Sequence, residues 1–393
     1  MDIATAPDPI AVALSAALVG QSALAATLVF ARSPRRPVYL FLTGFFIVNA
    51  VTDAGPVALS LGSTVAVHLA VLGIPALLTG APCLWFYVVG LTAETDWSLA
   101  PRDLRHFLPA LLGLLTAVLV AALPLDSKQQ LLEGNLEAAT AHPFFALMAY
   151  VLMTLAGIVQ IGLYIPAIVR RLVVYRRRLR DVFASTEHLE LRWLSWLVLI
   201  VGGYWLVTLA SVVAELGYGV DITSETVEAA IALAIVWVLS IWGLRQQPGF
   251  ISQFDHHEAA DTAAEAVATR KYERSALAPE QSRRIADKIA AAMGNDHLYR
   301  DPNLSLRDLS AHVAVTPNYV SQTLNETIGQ CFFDYVNHWR IGAAKARVLK
   351  GEETILDIAF DVGFNSRSSF YTAFKRETGM TPTAFRGAAG LAS

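Results

Sequence analysis

Four side chains set close together in the last quarter of the chain could read the edges of nucleic-acid bases. Asn318, Ser321, Gln322 and Asn325 recur at intervals of three and four, which puts them on one face of a helix. Asn and Gln can bond adenine through two hydrogen bonds at once, and Ser can serve either kind of base. About fifty residues further on, Arg367, Ser368, Tyr371, Thr372 and Lys375 form a second candidate face. There Arg367 suits a guanine edge, while Lys375 and Arg376 suit phosphates. Catalytic constellations are missing: the sequence contains no HExxH, GxSxG or Walker-type loop. We therefore assign no catalytic residue and no cofactor. The only two cysteines, Cys83 and Cys331, imply neither a disulfide framework nor a Cys-based metal site. His256, His257 and Glu258 do not make a metal site either, because adjacent histidines on a helix point in different directions.

Two helix-turn-helix patterns would position these side chains. In the first, Ser305 caps a short helix that turns Leu306, Leu309 and Val313 inward. A turn around Ala314 and Val315 leads to Thr316 as the next cap, with Pro317 at the favoured first helical position. The helix over 317–326 then buries Val320 and Leu324. A long linking helix is expected over 332–349. The pattern recurs with Thr354 as cap, Ile355, Ile358 and Ala359 inward, Gly363 at the turn, and Asn365 or Ser366 opening a helix over 367–377 that buries Phe370 and Phe374. The units thus span about 305–326 and 354–377. If the linking helix holds the reading helices parallel, they reach successive major grooves about 34 Å apart. Upstream, 279–293 reads as an amphipathic helix with Ile285, Ile289 and Met293 on one face.

The rest of the chain is of another kind. Hydrophobic residues make up 54% of the 393 and charged residues 16%, well below the roughly one quarter of a soluble protein. Only 13 of the 30 Lys and Arg precede Arg245. Seven apolar runs, about 10–31, 38–61, 65–92, 104–123, 144–169, 193–216 and 226–244, meet or approach the roughly 20 residues of a spanning helix. Internal prolines such as Pro56, Pro75, Pro82 and Pro166 are tolerable there, since neighbouring helices can re-satisfy the freed backbone.

Bases crowd alternate gaps: Arg32, Arg35 and Arg36; Arg102 and Arg105; then Arg170, Arg171, Arg176, Arg177, Arg178, Arg180 and Arg192. The other gaps hold Lys128 alone among acids such as Asp126, Glu133, Glu137, Asp221, Glu225 and Glu228. The bias places the basic gaps in the cytoplasm, the N-terminus outside and, after an odd number of spans, the C-terminus inside. Polar groups within the runs are the default clue to a ligand. Asn49, Asp53, His68 and Glu215 lie toward the outer ends, and Gln21, Gln160 and Tyr204 nearer mid-depth. They can line a pocket opening outward or act as polar glue between helices.

From Leu309 and Ser321 through Gly329, Arg340, Ala344, Leu349, Ile358, Ala359, Gly363, Phe364, Phe370, Phe374, Lys375, Gly379 and Pro382 to Arg386, the pattern resembles the DNA-binding domain of the AraC/XylS family of bacterial transcription regulators. The resemblance covers about 303–386. It implies that Asn318, Ser321, Gln322 and Asn325 belong to the first base-reading helix and Arg367, Ser368 and Thr372 to the second. One departure stands out: there is no Lys or Arg between Arg307 and Arg340, where family members often place bases.

The expected fold is all-α. A polytopic seven-helix transmembrane bundle (1–244) leads through a polar, partly helical connector (245–278) into a cytoplasmic double helix-turn-helix domain (279–393). The expected role is a regulator in the bacterial inner membrane, controlled by a small-molecule or envelope signal. Its expected partners are double-stranded DNA, the bilayer, RNA polymerase and a second copy of the chain. The alternative is a transporter or membrane enzyme with a fused regulatory domain.

Overall fold

The computed structural model describes residues 8–32, 37–60, 64–93, 97–132, 144–186, 189–218, 224–245 and 277–390. The connector expected at 245–278, with His256, His257 and Glu258, lies almost wholly outside them, as do Arg35, Arg36, Glu133, Glu137 and Asp221. Among the described residues the chain is all-α, with one isolated antiparallel bridge between Phe183 and Ser305. It divides into two compact units: Met1–Leu172 with Arg192–Ala259, and Val173–Leu191 with Ala260–Ser393.

The first unit is built mainly from strongly apolar helices. Its helices are α1 (Pro9–Phe30), α2 (Val38–Ser60), α3 (Thr64–Gly73), α4 (Gly80–Leu91), α5 (Pro109–Ala121), the short and polar α6 (Leu125–Leu132), α7 (Phe144–Val182) as far as Leu172, α8 (Arg192–Tyr218) and α9 (Glu225–Arg245). Asp8 caps α1 by accepting from the Ile10 N–H at 3.0 Å, and Pro9 fills the first helical position, where a missing N–H costs nothing. α1 packs against α2 and α9, and α2 against α3 and α4.

Among the described residues, five helices are long and apolar enough to cross a membrane: Pro9–Phe30, Val38–Ser60, Met148–Val182, Arg192–Ser211 and Glu225–Arg245. Two bent pairs, Thr64–Ala76 with Gly80–Leu91 and Pro101–Phe107 with Pro109–Ala121, raise the number to seven if each is one span. The third and fourth apolar runs of the sequence are therefore not straight helices. Their bends, of 43° and 42°, coincide with Pro75 and Pro109, whose rings take away a backbone donor and clash with the preceding turn. At the first bend the freed Leu78 carbonyl accepts from Gln160 Nε2 at 3.1 Å, so Gln160 serves the backbone. Lys128 is likewise occupied: it is buried and donates to the Ala121 carbonyl at the end of α5, at 3.0 Å. Large apolar side chains such as Leu163 (69% exposed) and Trp196 (67%) stand outward along these helices.

The second unit comprises α10 (Pro279–Gly294), a 3-10 turn (Leu298–Arg300), α11 (Leu306–His312), α12 (Pro317–Gln322), α13 (Phe332–Lys350), α14 (Ile355–Asp361), α15 (Arg367–Thr378) and α16 (Pro382–Gly390). It holds two cores strung on one helix. The first half of α13 gives Phe332 and Val336 to a core with Ile285, Ile289, Met293, Leu304, Leu309, Val320 and Leu324. The second half gives Ile341, Ala344 and Val348 to a core with Ile358, Ala359, Phe364, Phe370 and Phe374. Burying these faces supplies the main stabilisation, at about 1.5–3 kcal/mol for each large side chain.

Candidate nucleic-acid interface

Each reading helix is fixed by local chemistry. Ser305 and Asp308 form a reciprocal cap on α11: the Asp308 N–H donates to Ser305 Oγ at 3.2 Å, and the Ser305 N–H donates to Asp308 Oδ2 at 3.0 Å. The turn after α11 carries Ala314 in a left-handed conformation, φ 53°, and delivers Thr316 as N-cap of α12, although its hydroxyl makes no capping bond. In the second unit Thr354 caps α14 through the Asp357 N–H at 3.1 Å. Ser366, not Asn365, caps α15, accepting from the Ser369 N–H at 3.2 Å. Asn365 instead donates to the Pro302 carbonyl at 3.1 Å.

The first reading helix departs from the expected regular helix over 317–326. It is α-helical only to Gln322; Thr323–Ile328 winds as a π-helix and ends at Gly329, φ 78°. Its outer face still carries the four expected side chains: Asn318 and Asn325 exposed, Ser321 and Gln322 half-buried. Two of them, Gln322 and Asn325, are tied along their own helix. Asn325 Nδ2 donates to the Ser321 carbonyl at 3.0 Å, and Gln322 Nε2 to Glu326 Oε2 at 2.8 Å. A base edge must displace these bonds before it is read.

On α15, Arg367, Ser368, Thr372 and Lys375 are all exposed. The Arg367 guanidinium lies 4.9 Å from the centre of the Tyr371 ring and donates to its hydroxyl at 3.2 Å. Tyr371 is thus a support for Arg367 that spacing alone did not distinguish. Bonding first to Thr383 and then to Arg367 holds its phenol below the usual tyrosine range. Arg376 is committed elsewhere: it pairs with Asp334 at 2.8 Å and sits over the Phe333 ring, so it braces α15 on α13. Glu377 Oε1 accepts from His338 Nδ1 at 2.6 Å across the same seam. Arg386 ends α13, donating to the carbonyls of Val348 and Glu353 at 2.9 Å each.

Of the other candidate residues, Asn49 and His68 bond within their own helices. Asn49 Nδ2 bonds the Phe45 carbonyl of its own helix at 2.8 Å, and exposed His68 contacts the Thr64 carbonyl at 2.7 Å. Asp53 is half-buried on α2, and Glu215 lies on α8 with its side chain outside the described residues. Among the described residues no group of three His, Cys, Asp or Glu could hold a metal ion.

With this geometry in view, comparison with known proteins is specific for one part of the chain. Residues 309–388 match a family model described as "Helix-turn-helix domain". An uncharacterised HTH-type transcriptional regulator of Staphylococcus aureus (strain COL) is 36% identical over 101 residues, 26% of this chain and 14% of the relative. An AraC-like transcription regulator of Streptomyces lividans is 36% identical over 104 residues, 26% of this chain and 34% of the relative. The chain thus spans well under half the length of these relatives. Among solved structures, the C-terminal domain of AraT, a response regulator from Geobacillus stearothermophilus, is 27% identical, covering 29% of this chain and 88% of that one, with a TM-score of 0.24. The C-terminal part of this chain is an AraC-type helix-turn-helix domain, a DNA-binding transcription-regulator module. These relatives are transcriptional regulators rather than enzymes over that C-terminal quarter.

Proposed function

We propose that this chain is a membrane-anchored, sequence-specific transcriptional regulator. Its DNA reader is cytoplasmic, and its membrane helices occupy the inner membrane of a bacterium. Three domains serve this reading: membrane helices over 1–244, a connector over 245–278 and the reader over 279–393. The observation that carries it is the pairing, among the described residues of one chain, of two capped reading helices on a shared linking helix with five to seven helices long and apolar enough to cross a membrane. Outward-standing Leu163, Trp196 and their like have no reason to face water but every reason to face acyl chains.

Asn318, Ser321, Gln322 and Asn325 read bases from α12 and the turn after it, and Arg367, Ser368 and Thr372 read from α15, with Lys375 on phosphate. The first reader has no Lys or Arg from Asp308 to Trp339. Since phosphate contacts supply much of DNA affinity, one copy binds weakly and pairing of copies supplies occupancy. Asn49, Asp53, His68 and Glu215 remain the candidates for contact with a small-molecule or envelope signal, and RNA polymerase is the partner through which bound protein acts.

Sequencing the DNA crosslinked to the intact protein in cells tests the reading. Discrete sites that vanish with Arg367→Ala are expected; an even spread over the genome refutes specific reading. A reporter fused after the C-terminus should be active only as a cytoplasmic fusion, and activity on the other side refutes the topology.

A further inference from the structure

The DNA-reading unit is not made from the C-terminal part of the chain alone. Val173–Leu191, the end of α7 and the segment after it, belongs to the same compact unit as Ala260–Ser393. The bases of this segment read in the sequence as determinants of topology. In the structure it is an arm built into the reader.

Phe183 forms an antiparallel bridge with Ser305, the N-cap of α11, and the Ala184 N–H donates to the Leu304 carbonyl at 3.1 Å. Ala184 is 1% exposed and sits in the first core with Leu304, Leu309 and Val320. Arg340, fully buried where the two halves of α13 meet, is the hub. It donates to the carbonyls of Tyr299 and Asp301, at 2.8 Å each, and also to Ser185 Oγ at 3.3 Å and the Ala184 carbonyl at 3.4 Å. A guanidinium has five N–H donors and no acceptor, so burying it requires oxygens on every side. Part of that requirement is met by the arm. The arm also reaches the second reader's brace: Arg180 stands 5.7 Å from the centre of the Phe333 ring, the ring that Arg376 of α15 also covers at 5.7 Å.

We propose that Val173–Leu191 is the control surface of the DNA reader, the element by which the membrane helices act on it. The proposal rests on the regulator reading above. α7 runs from Phe144 through Pro166 to Val182, so the arm carrying Phe183 and Ala184 is the chain's direct continuation of a membrane helix. The docked arm holds the entry of α11 and the middle of α13 in the reading geometry. Withdrawing it strips acceptors from Arg340 and loosens the first reader, which has no Lys or Arg from Asp308 to Trp339 to compensate. Docked is the DNA-competent state.

The test uses the full-length chain in native membranes, with Cys83→Ala and Cys331→Ala as background. Residues facing each other across an antiparallel bridge lie about 4.5–5.5 Å apart at Cα, within disulfide range. Phe183→Cys with Ser305→Cys should therefore link under mild oxidant, and exposed Arg177→Cys with Ser305→Cys should not. In the unsubstituted chain the Ala184 amide should exchange slowly. Absence of both the link and the protection overturns docking. Ala184→Glu alters no residue of the C-terminal domain and should cut occupancy of crosslinked sites in cells by about fivefold or more, the scale of a genuine coupling between sites. Arg170→Gln, exposed on α7 ahead of the arm, should leave it unchanged. A linked arm with unchanged occupancy in Ala184→Glu overturns the control role. If the parent chain occupied no discrete sites, the regulator reading itself would fall, and the disulfide would still report whether the arm docks.

Discussion

Gly363 offers a sharp test of how the two readers are joined. It makes the turn between α14 and α15 at φ 95°, and a Cβ there would lie 2.5 Å from the Tyr299 carbonyl oxygen and 2.8 Å from that of Arg300. These are backbone atoms of the 3-10 turn that Arg340 grips through Tyr299 and Asp301, so they cannot swing aside as a side-chain tip would. Gly363→Ala pays twice: about 1–2 kcal/mol for placing an L-residue at positive φ, and a steric cost of about 1–3 kcal/mol, as for overpacking. Gly329 separates the two contributions. Its φ is 78° but nothing lies within 4 Å of its Cβ position, so Gly329→Ala should cost only the first. The assay is pulse proteolysis in a urea series on full-length protein, following survival of the C-terminal fragment. We expect Gly363→Ala to lower the unfolding free energy by about 2–5 kcal/mol and Gly329→Ala by about 1–2. Equal losses in the two variants would refute the close approach of this turn to Tyr299 and Arg300.

Three further outcomes follow from the same geometry. Arg367→Ala should weaken binding to a cognate site by about 1–3 kcal/mol and relax preference at one base pair, read by fluorescence anisotropy against a panel of sites. Glu326→Lys frees Gln322 and adds the first reader's missing cation. It should raise affinity for any duplex and steepen the log–log salt slope by about 1; an unchanged slope would mean that this face does not approach phosphate. Arg347 bonds both Glu353 and Asp361, and the Glu353 bond holds that carboxyl below the usual glutamate range. A depressed folded-state value means that the stabilisation is complete above the unfolded glutamate value, about 4.3, and disappears as pH falls through the depressed one. Urea midpoints of the full-length protein, read by proteolysis of the reader and measured downward from pH 6, should therefore fall more steeply below about pH 4.3 for the parent than for Arg347→Ala. Parallel profiles would remove this pair from the acid response.

Much of the reader was legible because its signals are local. Ser305, Thr354 and Pro317 mark helix starts by chemistry acting within three residues, and periods such as Val320 with Leu324 or Phe370 with Phe374 mark buried faces directly. What the sequence hides is long-range. Arg376 looks like any exposed cation on a reading helix until Asp334 of another helix claims it. Gln160 reads as an intramembrane polar group until the bend that frees the Leu78 carbonyl is known. The arm is the extreme case: Arg340 and Ala184 stand 156 residues apart, and no periodicity links them. The π-helical winding of Thr323–Ile328 has no sequence signal that we recognise.

That separation has a consequence for biosynthesis. The arm leaves the ribosome first, and α8 and α9 follow before Arg340 is made. At about 5–20 residues per second of elongation, Ala184 waits roughly 8–30 s for the guanidinium that will bind it. The late-made reader thus completes its fold on a strip of polypeptide synthesised before α8 and α9.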